Sequence, residues 1–248
     1  MSFHHSEDRI LGGRVRISQP TTGFRSAIDP VLLAAACPAK AGQRVLDVGC
    51  GVGTALFCLM KRIEGISGVG LDKQDEMIAL ARHNAQINEL GSASFVAGNL
   101  ASPPPELIPG SFDLVLSNPP FLTDEDGTPP PDDGKSAAHV ESEVDLRRWL
   151  GFCVALLRHK GSLVLIHRAD RLDDILRALE GRAGEVTILP LWPKEGRPAR
   201  RVLVKARKGV RTPLSLLPGL VLHEANGSFT AAAEAILRDA QSLNWPSL

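Results

Sequence analysis

The chain reads as a doubly wound α/β protein with a mostly parallel sheet and helices on both faces. Three observations predict this. Short apolar runs alternate with amphipathic stretches from about residue 44 to residue 206, the pattern of strand–helix–strand units with right-handed crossovers. The first apolar run, Val45 to Val48, leads at once into Gly49-Cys50-Gly51-Val52-Gly53, a glycine turn between a buried strand and a helix. The next strand ends on a second acid, Asp72, at the spacing where a carboxylate takes ribose hydroxyls. Together these describe a nucleoside-binding corner at the carboxyl edge of a sheet.

The elements follow in order. Met1 to Ser18 is polar with one small apolar patch, and reads as a flexible arm or edge hairpin. Pro30 to Cys37 is a helix, with Asp29 suited to the N-cap and Pro30 to the first helical position. The loop before it, Gly23 to Asp29, has a functional alternative as a lid that brings Phe24 and Asp29 to the pocket. Thr54 to Arg62 is the helix after the glycine turn, and Gly68 to Asp72 the second strand. Gln74 to Asn88 is a helix with Met77, Ile78, Leu80, Ala81 and Ile87 inward. Strands are expected at Ser94 to Ala97, Phe112 to Leu116 and Ser162 to His167, with a Pro-rich loop between the first two. Helices are expected at Glu143 to Arg158 and at Asp170 to Leu179, the latter capped by Asp170. Glu185 to Leu189 and Arg201 to Ala206 read as a closing pair of strands. The remaining 210–248 holds two short apolar runs and a helix from Thr230 to Ser242. No internal repeat and no second domain is evident. The expected organisation is one domain over 1–248, with an arm and lid at 1–30, a core at 31–208 and an extension at 209–248.

Composition narrows the class. With 248 residues, 44% of them hydrophobic, the chain is long enough for one sizeable core. Its formal net charge is zero, so a polyanionic partner would have to meet a local patch rather than a global field. The four cysteines, Cys37, Cys50, Cys58 and Cys153, form no C-x-x-C and have no histidines at zinc spacing. A reduced, cytoplasmic protein without a metal is expected. Met1 to Ile10 lacks the apolar core of a signal peptide, and the longest apolar run, Val31 to Cys37, is too short to span a bilayer.

The glycine turn decides between nucleosides. A dinucleotide site wants G-x-G-x-x-G, but Thr54 stands at the third glycine's place and Gly53 comes one residue early. Asp47 lies two residues before Gly49, where a carboxylate would repel a pyrophosphate and suit an ammonium group. A ligand with an ammonium group and no phosphate, S-adenosylmethionine, fits. The D-x-G-x-G-x-G arrangement resembles the class I methyltransferase cofactor motif. A glycine turn used for backbone geometry alone is the plain alternative.

A second motif follows the fourth strand: Ser117-Asn118-Pro119-Pro120-Phe121. By the switch-point rule it faces the same crevice as the glycine turn. Two consecutive prolines end a ladder and fix a rigid extended turn. An exocyclic amine becomes nucleophilic as it pyramidalises, and acceptors around its N–H groups favour that shape. The Asn118 side-chain oxygen and a proline-preceded backbone carbonyl are such acceptors, and Phe121 offers a flat face to a planar substrate. Asn-Pro-Pro-Phe resembles the N-P-P-[FYW] motif of amino-methyltransferases that act on adenine, guanine or glutamine amides.

Beyond these motifs, Gln19-Pro20, Gly23-Phe24-Arg25, Asp29 to Leu33, Asn84 to Asn88 and the tail Leu220 to Gly227 are similar to the bacterial valine-tRNA adenine N6-methyltransferase family. The resemblance implies a Rossmann-like fold of seven strands in the order 3-2-1-4-5-7-6, with the seventh antiparallel. It implies methylation of N6 on an adenine beside the anticodon. It also implies that Asp47, Gly49, Cys50 and Gly51 hold the methionine part of S-adenosylmethionine, Asp72 the ribose, and Asn99 and Leu100 the adenine, with Asn118, Pro119, Pro120 and Phe121 on the target base. Asn99 stands where the family usually has Asp, which removes a charge from that contact. Other readings on the same fold are a methyltransferase of another RNA or of a protein glutamine amide, and a non-catalytic RNA-binding module.

The expected tRNA contact is the basic run Lys194, Arg197, Arg200, Arg201, Lys205, Arg207, Lys208 and Arg211, interrupted only by Glu195. Two closing strands and their loop would display many of these together; a solvated hairpin surface is the plain alternative. The loop after the second motif is acidic through Asp124, Glu125, Asp126, Asp132 and Asp133. Trp149 is assigned to the core, and His139 has no assigned role.

Overall fold

The structure, a computed structural model, describes residues 5–21, 28–100, 102–119, 135–243 and 245, with the backbone alone for 135–145. Among the described residues the chain runs β1(His5–Ile10), β2(Val15–Pro20), α1(Asp29–Ala36), β3(Arg44–Val48), α2(Thr54–Arg62), β4(Ser67–Asp72), α3(Asp75–Ile87), β5(Ala93–Ala97) and β6(Phe112–Ser117). It continues with α4(Lys135–Leu156), β7(Leu157–Arg168), a 3-10 turn (Ala169–Arg171), α5(Leu172–Leu179), β8(Ala183–Trp192), β9(Arg201–Lys208), β10(Ser215–Leu216), β11(Leu220–Val221) and α6(Ala231–Leu237).

The main sheet has nine strands in the order β10-β8-β9-β7-β6-β3-β4-β5, with β11 also on β8. The run β5-β4-β3-β6-β7-β9-β8 has the expected order, and β9 is antiparallel to both neighbours. The expectation of seven strands is corrected: two-residue β10 and β11 pair in parallel with β8, at Thr187–Ile188 and at Leu191–Trp192. The apolar runs of the extension therefore cover the β8 edge of the sheet, where unpaired N–H and C=O groups would otherwise stand exposed.

Alternate residues of each strand feed two cores. Val45, Leu114, Leu116, Val164, Ile166 and Leu203 pack under α1, α2, α3 and α6. Leu46, Val48, Val115, Leu163, Leu165, Val202 and Val204 pack under α4 and α5. Period-two alternation with both faces covered is what a buried parallel sheet requires.

Three local expectations fail, two because a charged neighbour outbids the helix end and one because a strand begins there. Asp29 does not occupy the N-cap, which falls on Ile28. Its carboxylate meets Arg201 at 3.0 Å. Asp170 does not cap the following helix but sits in the 3-10 turn, gripped by Arg168. The helix expected to reach Arg158 stops at Leu156, because β7 starts at Leu157 and pairs with Phe112. At the far end, Thr230 caps α6 by accepting from Ala233 N at 3.2 Å.

The arm is a hairpin, and it is not an edge of the main sheet. Its apolar residues Leu11, Val15 and Ile17 are buried against the core. Its free edge is held by two asparagines one helical turn apart on α3. Asn84 accepts from Ser18 N at 2.8 Å and donates to Ser18 O at 3.0 Å. Asn88 accepts from Arg16 N at 2.8 Å and donates to Arg16 O at 2.6 Å. Two amide side chains thus imitate the edge of a third strand.

Among the described residues no helix is long and apolar enough to cross a membrane, and no cluster of His, Cys, Asp or Glu could hold a metal ion. All four cysteines are free and buried.

Candidate active site

The carboxyl ends of β3, β4, β5 and β6 lie side by side, with Val48 in register with Leu71 on one side and with Ser117 on the other. This brings Asp47, Gly49, Cys50, Gly51, Asp72, Asn99, Leu100, Asn118 and Pro119 to one crevice. Asp29 meets Arg201 at the start of β9, at 3.0 Å. Phe24, Pro120, Phe121 and the acidic segment lie outside the described residues, as does the side chain of His139.

The glycine turn is pegged on both sides. Gly49 N and Cys50 N donate to Leu71 O at 2.8 and 2.9 Å. Gly51 N donates to Asp72 Oδ2 at 2.8 Å, and Gln74 N donates to Asp72 Oδ1 at 3.0 Å. On the other side Asn84, while holding Ser18, donates to Val52 O at 3.1 Å. Asp72 therefore shapes the turn as well as facing the crevice, and each of its oxygens keeps a lone pair for a hydroxyl.

The three glycines all have positive φ, but they answer to different neighbours. A Cβ on Gly49 would meet the Trp149 ring at 3.0 Å; one on Gly53 would meet Phe57 at 2.5 Å; one on Gly51 would meet nothing. Only Gly51 leaves space that a ligand could take. Trp149, assigned to the core from sequence, is half-buried against the back of the turn. Its Nε1 donates to Ser117 Oγ at 2.9 Å, and Ser117 Oγ donates to Val48 O at 2.7 Å. The end of β6 is so tied both to β3 and to α4. Sequence reasoning placed Ser117 and Asn84 to Asn88 in motifs and Trp149 in the core, but gave none of them these roles in holding the turn. The asparagines carried a legible signal, two amides at i and i+4 among the buried Ile78, Ala81 and Ala85 of α3.

Two polar atoms in this corner are buried without a partner among the described residues: Asp47 Oδ2 and Asn118 Oδ1. Burial, and next the charge of Asp72, push the Asp47 carboxyl up to about 7, while a hydrogen bond from the Leu56 backbone opposes the rise. A lone buried acceptor of this kind matches a cationic ligand group. The residues present fit S-adenosylmethionine: Asp47 would face its ammonium, Gly51 leaves room, and Asp72 would meet its ribose. Cys50 is buried against Gly70, and burial holds its thiol far above the usual range, so it fills space as a neutral group. Asn99 is exposed, and its Oδ1 already accepts from Ser102 N at 2.8 Å.

The basic run is not a single patch. Lys205 lies 4.7 Å over the Trp245 ring, Arg207 pairs with Glu185 at 2.9 Å, and Lys208 Nζ donates to Ala155 O and Leu157 O. Lys194 Nζ donates to Ala225 O at 2.9 Å and pins the tail. Arg197, Arg200 and Arg211 are exposed.

Comparison with known proteins agrees with this geometry. A family profile described as a methyltransferase domain matches residues 39–169. The chain belongs to the methyltransferase domain family. It is an S-adenosylmethionine-dependent methyltransferase. A tRNA1(Val) (adenine(37)-N6)-methyltransferase of Porphyromonas gingivalis is 30% identical over 88% of both chains. A release factor glutamine methyltransferase of Aliivibrio fischeri is 31% identical, over 34% of this chain and 29% of that protein. Among solved structures, a predicted O-methyltransferase from Agrobacterium tumefaciens shares the fold at a TM-score of 0.74 and 23% identity, covering 89% of this chain and all of that one.

Proposed function

We propose that this methyltransferase acts on tRNA, at N6 of an adenine beside the anticodon, and that residues 1–248 work as one domain for it. The observation that carries the reading is Asn118 Oδ1: a buried acceptor with no donor among the described residues, at the end of β6, beside the glycine turn. An amide oxygen is a weak base, so it does not strip a proton from an amine. It accepts an N–H bond and draws the nitrogen toward the pyramidal, nucleophilic shape. Bound S-adenosylmethionine supplies an electrophilic methyl group. Asp47 faces its ammonium, Asp72 its ribose, and Asn99 and Leu100 its adenine. Pro119 and Pro120 keep the acceptor turn rigid, and Phe121 stacks on the base. The base leaves its stack to reach this crevice.

Adenine is favoured over a glutamine amide by the extent of the likeness. The release-factor relative matches over about a third of the chain, whereas the tRNA relative matches over nearly all of it. The test is incubation with labelled cofactor and either bulk tRNA or a protein extract. Label is expected in tRNA, and label in protein alone refutes the choice. Asn118→Ala is expected to abolish turnover with cofactor binding within about threefold of wild type, since the bond it removes strengthens in the transition state. Near wild-type single-turnover rates in that variant would leave Asn118-Pro119 as a strand terminator only.

A further inference from the structure

Strand β9 spans Arg201–Lys208, so at about 3.3 Å per residue its ends stand roughly 23 Å apart. The basic run is thereby cut in two. Lys194, Arg197, Arg200 and Arg201 lie at the crevice end of the sheet; Arg207, Lys208 and Arg211 lie at the opposite end. The crevice half recruits cations that are remote in sequence. Arg168 is directly opposite Arg201 in the β7–β9 ladder, Ala169 N donates to Arg200 O at 3.1 Å, and Arg171 follows in the 3-10 turn.

Like charges directly opposite across an antiparallel pair are destabilising. Here carboxylates offset the cost: Asp170 forks onto Arg168, Asp29 meets Arg201 Nε at 3.0 Å, and Asp174 meets Arg171 Nε at 3.0 Å. Glu195 is the acid of the β8–β9 loop. His167, buried beneath, is lowered to about 4 chiefly by burial, with Arg171 and Arg201 adding to the effect, so it stays neutral. Three residues along the strands and two strand spacings across separate this rim from the end of β6, each about 10 Å. Arginine's fork matches a phosphate.

We propose that the β7–α5 turn and the β8–β9 loop form the face that grips RNA phosphates flanking the target base, with Arg197 and Arg200 as the contacts and Arg168, Arg171 and Arg201, each paired with a carboxylate, as the fixed frame behind them. The inference rests on the tRNA reading above. It excludes the opposite end of the sheet, where Lys160 and Arg211 are exposed like the rim pair.

The experiment measures bulk tRNA binding by filter retention across a salt series for wild type, Arg197→Glu/Arg200→Glu and Lys160→Glu/Arg211→Glu. The two doubles change charge equally, and cofactor calorimetry confirms folding. If reversal impairs folding, the corresponding Gln doubles replace them. The rim double is expected to lose about ten- to a hundred-fold in affinity, and its log–log salt slope to fall by about two. The opposite double is expected to stay within about threefold. Equal or greater loss in the opposite double, or no loss at the rim with wild type still methylating tRNA, overturns the rim alone. A wild type that neither binds nor methylates tRNA overturns the tRNA reading and the rim with it.

Discussion

Asn84→Ala is the most revealing single substitution in the core. Asn84 is fully buried and makes three hydrogen bonds, to Ser18 N, Ser18 O and Val52 O. Alanine strands all three backbone groups inside the protein. A buried group left unpaired costs about 1–3 kcal/mol, and relaxation of the arm recovers part of the sum. A net loss of about 2–4 kcal/mol is expected, or roughly 4–16 °C in Tm for a chain of this size. Urea unfolding measures the loss. Because one bond ends on the cofactor turn, S-adenosylmethionine affinity should fall as well, by about tenfold. Asn88→Ala is the control. It frees Arg16 N and O from the helix but touches no residue of the turn. It should destabilise the arm, raise hydrogen exchange at Arg16, and leave cofactor affinity within about twofold. If Asn84→Ala unfolds within about 0.5 kcal/mol of wild type, or if the two variants bind cofactor alike, the asparagine link between arm and turn is wrong.

Two further outcomes follow from the site. The Asp47 carboxyl is raised to about 7 in the folded protein against 3.8 as a free group, so the apoprotein holds a proton there that unfolded chains release between those values. Its contribution to stability is therefore present at low pH and is lost as pH rises toward 7. Pairing with the cofactor ammonium needs the ionised form. Calorimetry in two buffers should thus show proton release on binding at pH 6, and affinity rising up to about pH 7 before levelling; a pH-independent affinity from 5.5 to 8 would refute the contact. Among the glycines, Gly49→Ala should cost about 1–3 kcal/mol of stability, since its backbone is left-handed and Trp149 fills the space. Gly51→Ala should cost less stability but more cofactor affinity, and the reverse ranking would mean the ligand approaches elsewhere.

Much of this protein is legible along the chain, because its main signals are local. Strand, glycine turn and helix are contiguous between Arg44 and Arg62, and they fold together. Asn118 and Pro119 follow directly on the strand that places them. The alternation of apolar and amphipathic stretches was enough for a parallel sheet, since only covered faces tolerate such runs. The boundaries slipped where an arginine took the carboxylate from a helix end: a distant one at Asp29, which meets Arg201, and a near neighbour at Asp170, which meets Arg168.

What the tertiary structure alone decided concerns neighbours across the sheet. The sequence presents three equivalent-looking glycines, and only the approach of Trp149 and Phe57 shows that Gly51 is the one left open. It presents eight basic residues in one run, and only the extended course of β9 shows that they part to opposite ends, while Arg168 arrives beside Arg201 from another strand. It presents Asn84 and Asn88 as two polar residues on a helix. Only the docked hairpin turns them into a strand edge, because a buried amide must find partners wherever packing puts them.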